Sequence, residues 1–486
     1  MKKNKAGNYK SKNAVLLLLV VIFGLILRIA FFSGVGTSDD LLNTRYSHDI
    51  SKGIFPTTQN QGNSRIGLLM PTSIIYSLFG INDFTSVLIV LLFSLAGIIL
   101  IYFFGKLLFS EKVGLLAAFL LSFFPLDVIY STKFLSDLPS AFFGALSVFL
   151  FLKAEKITGK SKNYFIYLLS GLSLGIAFSV REMAVLLIPF FGLYALYKRK
   201  FKTSYFAMAL GFLFVLSLEM IFFYIHTGNA FYRFSSLSGY YVEAARFHNF
   251  YGRTNLVNFL AAWPYVMFAN IQLGYFYAFI SLALAYFLRN RKTETNWLII
   301  WMLSILLIFI FGTSSIKTYA PFLAVARYLS YITVPALLLL SAFFIEHKDS
   351  VKGVLIPFGI IFLLLASAGA VYLDNSRHKL DGLRDAYLFL KSSGKPVYTD
   401  SRSKLALEYI SGYGSDLKLI DFEKDIKNLR NAKDSYIIIN SGMLQERMIA
   451  GENIQFTADL TDLPAGWAKV MVRGTKENNI LVYYAR

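Results

Sequence analysis

The chain has 486 residues, of which 56% are hydrophobic and 16% are charged, whereas soluble domains carry roughly 25% charged residues. Its long apolar stretches approach the roughly 20 residues that cross a bilayer; examples are Ala14–Phe32, Tyr205–Tyr224 and Val354–Tyr372. This composition excludes an ordinary soluble protein. The absence of cysteine excludes disulfides and thiolate metal sites.

The net charge of +19 is concentrated in short segments between the apolar stretches. The basic segments are Lys2–Lys12, Lys106–Lys112, Lys153–Lys162, Lys198–Lys202, Arg289–Lys292 and Lys348–Lys352. Alternating basic and less basic loops are typical of the positive-inside bias of membrane proteins. The pattern predicts a multi-pass protein of the cell membrane with a cytoplasmic N-terminus, and it argues against a nucleic-acid partner.

Hydropathy predicts about eleven transmembrane helices. We place them at 14–32, 84–109, 113–130, 138–154, 163–180, 183–197, 205–225, 264–288, 296–312, 324–345 and 353–373. The first is predicted to be retained, because no small-residue cleavage site follows it. Ile66–Phe79 is apolar but short, which favours a re-entrant or interfacial helix. The predicted transmembrane domain is therefore 1–373, with outer loops at 33–65 and 226–262.

Residues 374–486 are predicted to form a soluble extracytoplasmic α/β domain, since eleven crossings leave the C-terminus outside. "KPVYTD", "LKLIDF", "SYIIIN" and the pair "AKVMVRG" and "NNILVYYA" have the pattern of strands, and "SKLALEYISGYG" has that of a helix ending at glycine. No glycine-rich phosphate loop is present, so we assign this domain no catalytic role. Covering the outer mouth of the bundle or recognising an acceptor are its candidate tasks.

Several ionisable residues are predicted to lie together on the outer side. They are Asp39, Asp40, Arg65, Lys133, Asp137, Arg181, Glu182 and Arg327. Such a set suits sugar transfer from a polyprenyl phosphate. The departing phosphate needs cations to stabilise it, and an acceptor hydroxyl needs a carboxylate base.

The sequence around these residues resembles the GT-C superfamily of lipid-linked glycosyltransferases, in the branch of protein O-mannosyltransferases and the lipid A aminoarabinose transferase. The likeness rests on the pair Asp39-Asp40 followed by Gly53, and on four segments over roughly Val15 to Leu340. The segments are "GLLMPTSIIYSLFG", "LSFFPLDVIYSTKFLSDLPSAFFGALSVFLFLKA", "GLSLGIAFSVREMAVLLIPF" and "ARYLSYITVPALLLL".

The resemblance implies an inverting transferase that moves a sugar from a polyprenyl-phosphate donor to a hydroxyl of a glycan, lipid or protein acceptor on the outer face. Asp39 would be the base, and Asp40 would orient it or help hold a divalent metal. Asp137 would stand at the second acidic position. Arg181, Arg327 and Lys133 would hold the carrier phosphate, and we add Arg65 and Glu182 to the expected substrate-binding residues.

Alternatives remain at this stage. Asp39 and Asp40 could simply be solvated, Asp137 could cap a helix, and Arg181 and Arg327 could snorkel to the interface. A transporter or flippase of lipid-linked glycans is the alternative function, although we find no internal repeat, and a receptor binding through the C-terminal domain is a third. Residues of secondary interest are Glu219, which could face the outer cavity, Tyr240, Tyr241 and Glu243 as acceptor contacts, and the scattered His48, His226 and His248.

Overall fold

The computed structural model describes residues 2–37, 39–55, 57, 61–157, 160–199, 201–237, 255–313, 319–349, 354–374, 380–414, 416–423, 432–449, 466–473 and 479–486. They form two compact units. The first comprises 1–32, 57–71 and 88–374, and the second comprises 33–56, 72–87 and 375–486. The predicted fold class, a helical membrane protein with a small C-terminal α/β domain, is confirmed.

The N-terminal part of the chain forms ten helices in the described residues up to Thr227. They are α1 Lys2–Ala30, α2 Asp39–Ser51, α3 Ile66–Phe79, α4 Asp83–Leu108, α5 Glu111–Ser122, α6 Pro125–Tyr130, α7 Asp137–Lys156, α8 Lys160–Val180, α9 Ile188–Lys198 and α10 Tyr205–Thr227. The described ranges of the first unit also include α11 Leu256–Ala269, α12 Phe276–Arg289, α13 Thr293–Phe311, α14 Ser330–His347 and α15 Leu355–Leu373.

Within the described ranges, eight helical segments are long and apolar enough to cross a membrane. They are Lys12–Ala30, Asp83–Leu108, Asp137–Lys156, Asn163–Val180, Tyr205–Thr227, Thr293–Phe311, Ala326–His347 and Leu355–Leu373. Each coincides with a predicted span. Ile66–Phe79 forms a helix of 14 residues, which is shorter than a bilayer crossing requires.

The other three predicted spans are built from shorter pieces. The span at 113–130 breaks before Pro125, which stands at the first turn of α6, because proline disfavours a helical conformation in the residue before it. The span at 183–197 begins as a 3₁₀ helix, Glu182–Leu187. The span at 264–288 divides into α11 and α12, between which Gly274 and Tyr275 have positive φ angles of 52° and 64°.

A buried arginine stabilises the first of these breaks. The Arg28 side chain of α1 donates to the Ser122 carbonyl at 3.0 Å, so the last carbonyl of α5 has a partner where the helix ends. The same guanidinium donates to Ser94 Oγ at 2.8 Å and forms an ion pair with Asp127 of α6. Arg28 is fully buried and therefore pairs within the bundle.

Glycines allow α8 and α10 to pack with their backbones in contact. A Cβ atom at Gly171 would lie 1.9 Å from the Met208 carbonyl oxygen, and one at Gly211 would lie 2.4 Å from the Leu168 carbonyl oxygen. Both distances are below any real Cβ contact, so neither glycine can be replaced without separating the helices. This crossing fixes the direction of α8, whose last residue precedes Arg181.

The second unit contains α2, the start of α4 and a five-stranded sheet. Its later elements are α16 Asp381–Leu390, β1 Pro396–Thr399, α17 Ser401–Ile410, β2 Lys418–Asp421, β3 Ser435–Asn440, α18 Ser441–Ile449, β4 Trp467–Arg473 and β5 Ile480–Ala485. The strand order is β2-β1-β3-β5-β4; β1 is parallel to β2 and β3, and β5 is antiparallel to β3 and β4. All five predicted strands are present.

Helix α2 packs along α17 inside this unit. Arg45 forms a 3.0 Å ion pair with Glu408, and the His48 ring stacks on Tyr413 at 4.4 Å between centroids. At the start of α4, Asp83 accepts from Arg384 at 2.6 Å and from Tyr409 at 2.8 Å. The acidic pair Asp39-Asp40 therefore begins a helix that is tied to the C-terminal segment.

Candidate functional site

A buried ion pair joins the start of α7 to the residue after α8. Arg181 Nη1 lies 2.6 Å from Asp137 Oδ2, and the two side chains are 2% and 1% exposed. The guanidinium carbon also lies 5.0 Å from the centroid of the Tyr328 ring. Burial favours the neutral form of Arg181, but the nearby Asp137, Tyr328 and Glu182 together outweigh it, so the pKa of Arg181 is raised and the side chain stays charged.

Each side chain of this pair has one polar atom that is not used in a hydrogen bond. In the part of the chain that the structure describes, neither Asp137 Oδ1 nor Arg181 Nε has a hydrogen-bond partner. Buried polar atoms without a hydrogen-bond partner are uncommon in proteins. This buried ion pair therefore has one acceptor atom and one donor atom available.

A second charged group surrounds Glu182. Arg65 Nη2 lies 3.7 Å from Glu182 Oε1, and Arg233 Nη1 lies 3.8 Å from Glu182 Oε2. Arg233 also pairs with Glu219 of α10 and donates to the carbonyl oxygens of Ser64 and Ser179 at 2.7 and 2.8 Å. Burial opposes the ionisation of Glu182, but the charges of Arg65, Arg181 and Arg233 together lower its pKa.

Lys133 and Arg327 lie on other elements of the same unit. Lys133 Nζ, on the loop between α6 and α7, is 3.3 Å from Asp374 Oδ2 at the end of α15. Arg327 is half-buried in the short 3₁₀ helix Ala326–Leu329. Its guanidinium carbon lies 5.8 Å from the centroid of the Tyr328 ring, the same ring that Arg181 contacts. Two cations thus contact one aromatic ring.

The acidic pair of the first predicted outer loop belongs to the second unit. Asp40 is 5% exposed, and its Oδ2 atom accepts the Gly36 backbone N–H at 3.0 Å. Asp39 is half-buried and lines a pocket of about 270 Å³. Other residues of that pocket are Thr37, Leu41, Leu42, Ser401, Arg402 and Leu405. Asp40 is thus held by its own loop, while Asp39 faces a cavity.

The structure brings Asp137 together with Arg181, and Arg65 together with Glu182. It pairs Lys133 with Asp374, a partner that the sequence did not suggest. Arg233 is the other residue that the prediction missed. A signal for it was present, because an acid such as Glu219 inside an apolar span requires a cationic partner.

Within the described ranges, no group of three or more His, Asp or Glu side chains is arranged so that it could hold a metal ion. Asp137 and Glu182 each face arginine instead. His226 of α10 stacks on Phe222. Tyr240, Tyr241, Glu243 and His248 lie outside the described residues.

Residues 70–223 match the family described as dolichyl-phosphate-mannose-protein mannosyltransferase. The matched segment includes Lys133, Asp137, Arg181 and Glu182. No curated protein is similar enough in sequence to match the chain.

Solved structures with a similar fold are all distant in sequence. The Archaeoglobus fulgidus oligosaccharyltransferase, in a complex with zinc and sulfate, is 13% identical with a TM-score of 0.61, over 97% of this chain and 73% of that one. The same organism's AglB, in complex with an inhibitory peptide and a dolichol-phosphate, is 12% identical with a TM-score of 0.55, over 97% and 74%.

ArnT from Cupriavidus metallidurans, bound to undecaprenyl phosphate, is 13% identical with a TM-score of 0.56, over 96% of this chain and 97% of that one. At identities this low, the structural similarity shows a shared fold and no more. Together with the matched segment, it confirms the resemblance to the GT-C superfamily.

Proposed function

We propose that this protein is an inverting glycosyltransferase that moves a sugar from a polyprenyl-phosphate donor to an acceptor hydroxyl on the outer face of the membrane. The observation that carries the proposal is the buried Arg181–Asp137 pair, which lies inside the family-matched segment and keeps an unused donor at Arg181 Nε. Dolichol-phosphate and undecaprenyl phosphate are bound by two proteins of similar fold.

In this proposal the carrier phosphate binds to Arg181 and Arg327. Both guanidinium groups contact Tyr328, and a planar guanidinium is suited to charge-assisted bonds with phosphate oxygens. As the bond from the sugar to the phosphate breaks, negative charge grows on the departing oxygen, and the arginines stabilise that charge. The leaving group needs no general acid, because a phosphate monoester is already a stable anion.

Lys133 contributes a further cation after it exchanges its partner. In the structure its ammonium pairs with Asp374 at 3.3 Å. The donor phosphodiester carries one negative charge, and the departing phosphate monoester up to two, so the carrier would compete with this carboxylate for the ammonium. Donor binding would thus release Asp374 from Lys133.

Asp39 is proposed as the general base, on the strength of the family resemblance and of its place on the wall of a pocket. It would take the proton of the acceptor hydroxyl while the oxygen attacks the anomeric carbon opposite the phosphate, which inverts the configuration. Asp40 would orient the loop, since it already accepts the Gly36 N–H.

The test separates binding of the donor from the transfer step. The probes are undecaprenyl phosphate and dolichyl phosphate for binding, and a radiolabelled polyprenyl-phosphate sugar with envelope fractions as acceptor for transfer. We expect Arg327→Ala to weaken phosphate binding by about tenfold to a hundredfold, because hydrogen bonds to charged groups contribute about 1.5–3 kcal/mol. Arg289→Ala is the control, since Arg289 is exposed at the end of α12.

Asp39→Asn should bind the carrier normally and lose transfer. Asp49→Asn is its matched control, since Asp49 lies on the same helix and pairs with Arg45. Normal transfer by Asp39→Asn would remove Asp39 as the base. Unchanged carrier binding by Arg327→Ala would remove the proposed phosphate site.

A further inference from the structure

A second polar pocket lies at the far end of the first unit's helices. It has a volume of about 370 Å³ and is lined by residues that include Lys156, Lys198, Lys202, Glu294 and Trp297. Lys156 ends α7, whereas Asp137 begins it, so the pocket is about 30 Å along this helix from the Arg181–Asp137 pair. It is therefore separate from the proposed catalytic residues.

A largely buried carboxylate, that of Glu155, holds several side chains around this pocket in place. The Glu155 side chain is 11% exposed and pairs with Lys202 at 2.9 Å. It also accepts from the Tyr205 hydroxyl at 2.9 Å and from the Tyr167 hydroxyl. With three donors on one carboxylate, Glu155 is satisfied within the protein and neutralises Lys202. The charge of Lys202 is therefore already balanced.

The other two ammonium groups keep most of their binding capacity. Lys156 Nζ donates to the Leu107 carbonyl at 2.6 Å, which uses one of its three N–H donors. Lys198 Nζ lies 5.3 Å from the centroid of the Trp297 ring, an attraction to the aromatic face that leaves its donors available. Both side chains are exposed. Glu294 also lines the pocket and offers a carboxylate that accepts hydrogen bonds.

The depth of the pocket indicates what it binds. Its lining residues stand where three membrane-length helices begin or end, at Leu108, Lys156 and Thr293. This is the level of lipid headgroups, where lysine and tryptophan are typical. The lining also includes the apolar side chains Leu108 and Leu152. The ligand is therefore expected to combine an anion, hydrogen-bond donors and an apolar portion.

We propose that this pocket binds the headgroup of an anionic glycerophospholipid. Lys156 and Lys198 hold the phosphodiester, Glu294 accepts from headgroup hydroxyls, and the acyl chains continue along the apolar helices. The predicted orientation places this end on the cytoplasmic side, whose leaflet carries anionic lipids in many membranes. Lipid binding here would be independent of sugar transfer.

The experiment titrates the purified full-length chain in neutral detergent and follows tryptophan fluorescence, to which Trp297 contributes. The probes are dioleoyl-phosphatidylglycerol, dioleoyl-phosphatidylcholine and soluble glycerol phosphate. We expect saturable binding of phosphatidylglycerol and much weaker binding of the other two. Lys156→Ala/Lys198→Ala should bind it about 25-fold more weakly, because each lysine near an anionic lipid contributes about 1 kcal/mol, or about fivefold.

Two further variants make the result decisive. Lys112→Ala removes an exposed lysine of α5 that is not part of the pocket and should bind as the wild type does. Lys156→Arg/Lys198→Arg should restore most of the affinity. An unchanged affinity in the double alanine variant, or an equal loss in Lys112→Ala, would overturn the site. Equal affinities for glycerol phosphate and phosphatidylglycerol would overturn the lipid assignment.

Discussion

Replacing Asp137 by alanine leaves the Arg181 guanidinium charged and buried, with its 2.6 Å partner removed. Because both side chains are at most 2% exposed, solvent cannot compensate for the loss. We expect the free energy of unfolding to fall by about 3–5 kcal/mol. Arg181→Met should lower the free energy of unfolding by a similar amount, since it leaves the Asp137 carboxylate buried without its cation.

The double variant Asp137→Ala/Arg181→Met removes both charges together. It should be much less destabilised than the sum of the single variants, because no buried charge remains unpaired. The assay is equilibrium unfolding in mixed micelles, followed by circular dichroism. Single-variant losses below about 1 kcal/mol, or a double variant that is additive within about 0.5 kcal/mol, would refute the account of a desolvated pair. Sugar transfer should be lost in all three variants. The unfolding measurements therefore report the stability of the ion pair, and the transfer assay reports its role in the reaction.

Three further predictions concern other parts of the chain. Gly171→Leu should destabilise the protein strongly in the same unfolding assay, because the Cβ atom would collide with the Met208 carbonyl oxygen, while a preserved midpoint would contradict the close crossing. Arg45→Ala and Glu408→Ala should each change the free energy of unfolding by less than about 1 kcal/mol, because this pair is partly exposed. A larger loss of stability in either variant would contradict this expectation. The lowered pKa of Glu182 means that its ionised form stabilises the fold fully above the usual glutamate pKa of about 4.3, and that this contribution is lost as the pH falls through the lowered folded-state pKa. Glu182→Gln should therefore flatten the acid side of the stability profile, and an unchanged profile would contradict the shift.

The sequence predicts the fold well where a single local pattern decides it. In the described ranges, eight membrane-length helical segments match predicted spans, and the five predicted strands lie where alternating β-branched and aromatic residues indicated them. The prediction was less accurate where a continuous apolar run contains a break. Pro125 indicates a possible break, but whether the helix stops there depends on Arg28, which satisfies the Ser122 carbonyl from another helix.

The sequence indicated which ionisable residues belong to the candidate site, but it did not indicate which of them pair with one another. Asp137 and Arg181 stand out as ionisable residues beside apolar spans, yet their pairing joins positions 44 residues apart. The partner of Lys133 is Asp374, 241 residues later, at the position where the predicted spans end. Such distant pairs depend on which helices pack together, and hydropathy alone carries no information on that arrangement.

The buried arginine of the first helix has a consequence for how the protein is assembled. Its partners Ser94, Ser122 and Asp127 lie 66, 94 and 99 residues further along the chain. At a synthesis rate of 5–20 residues per second, Arg28 is synthesised roughly 5 to 20 s before Asp127. During that interval Arg28 lacks these three partners, and a charged side chain costs about 2.5–3.5 kcal/mol at the centre of a membrane helix. We therefore expect α1 to reach its final depth in the bilayer only after α6, which carries Asp127, has been synthesised.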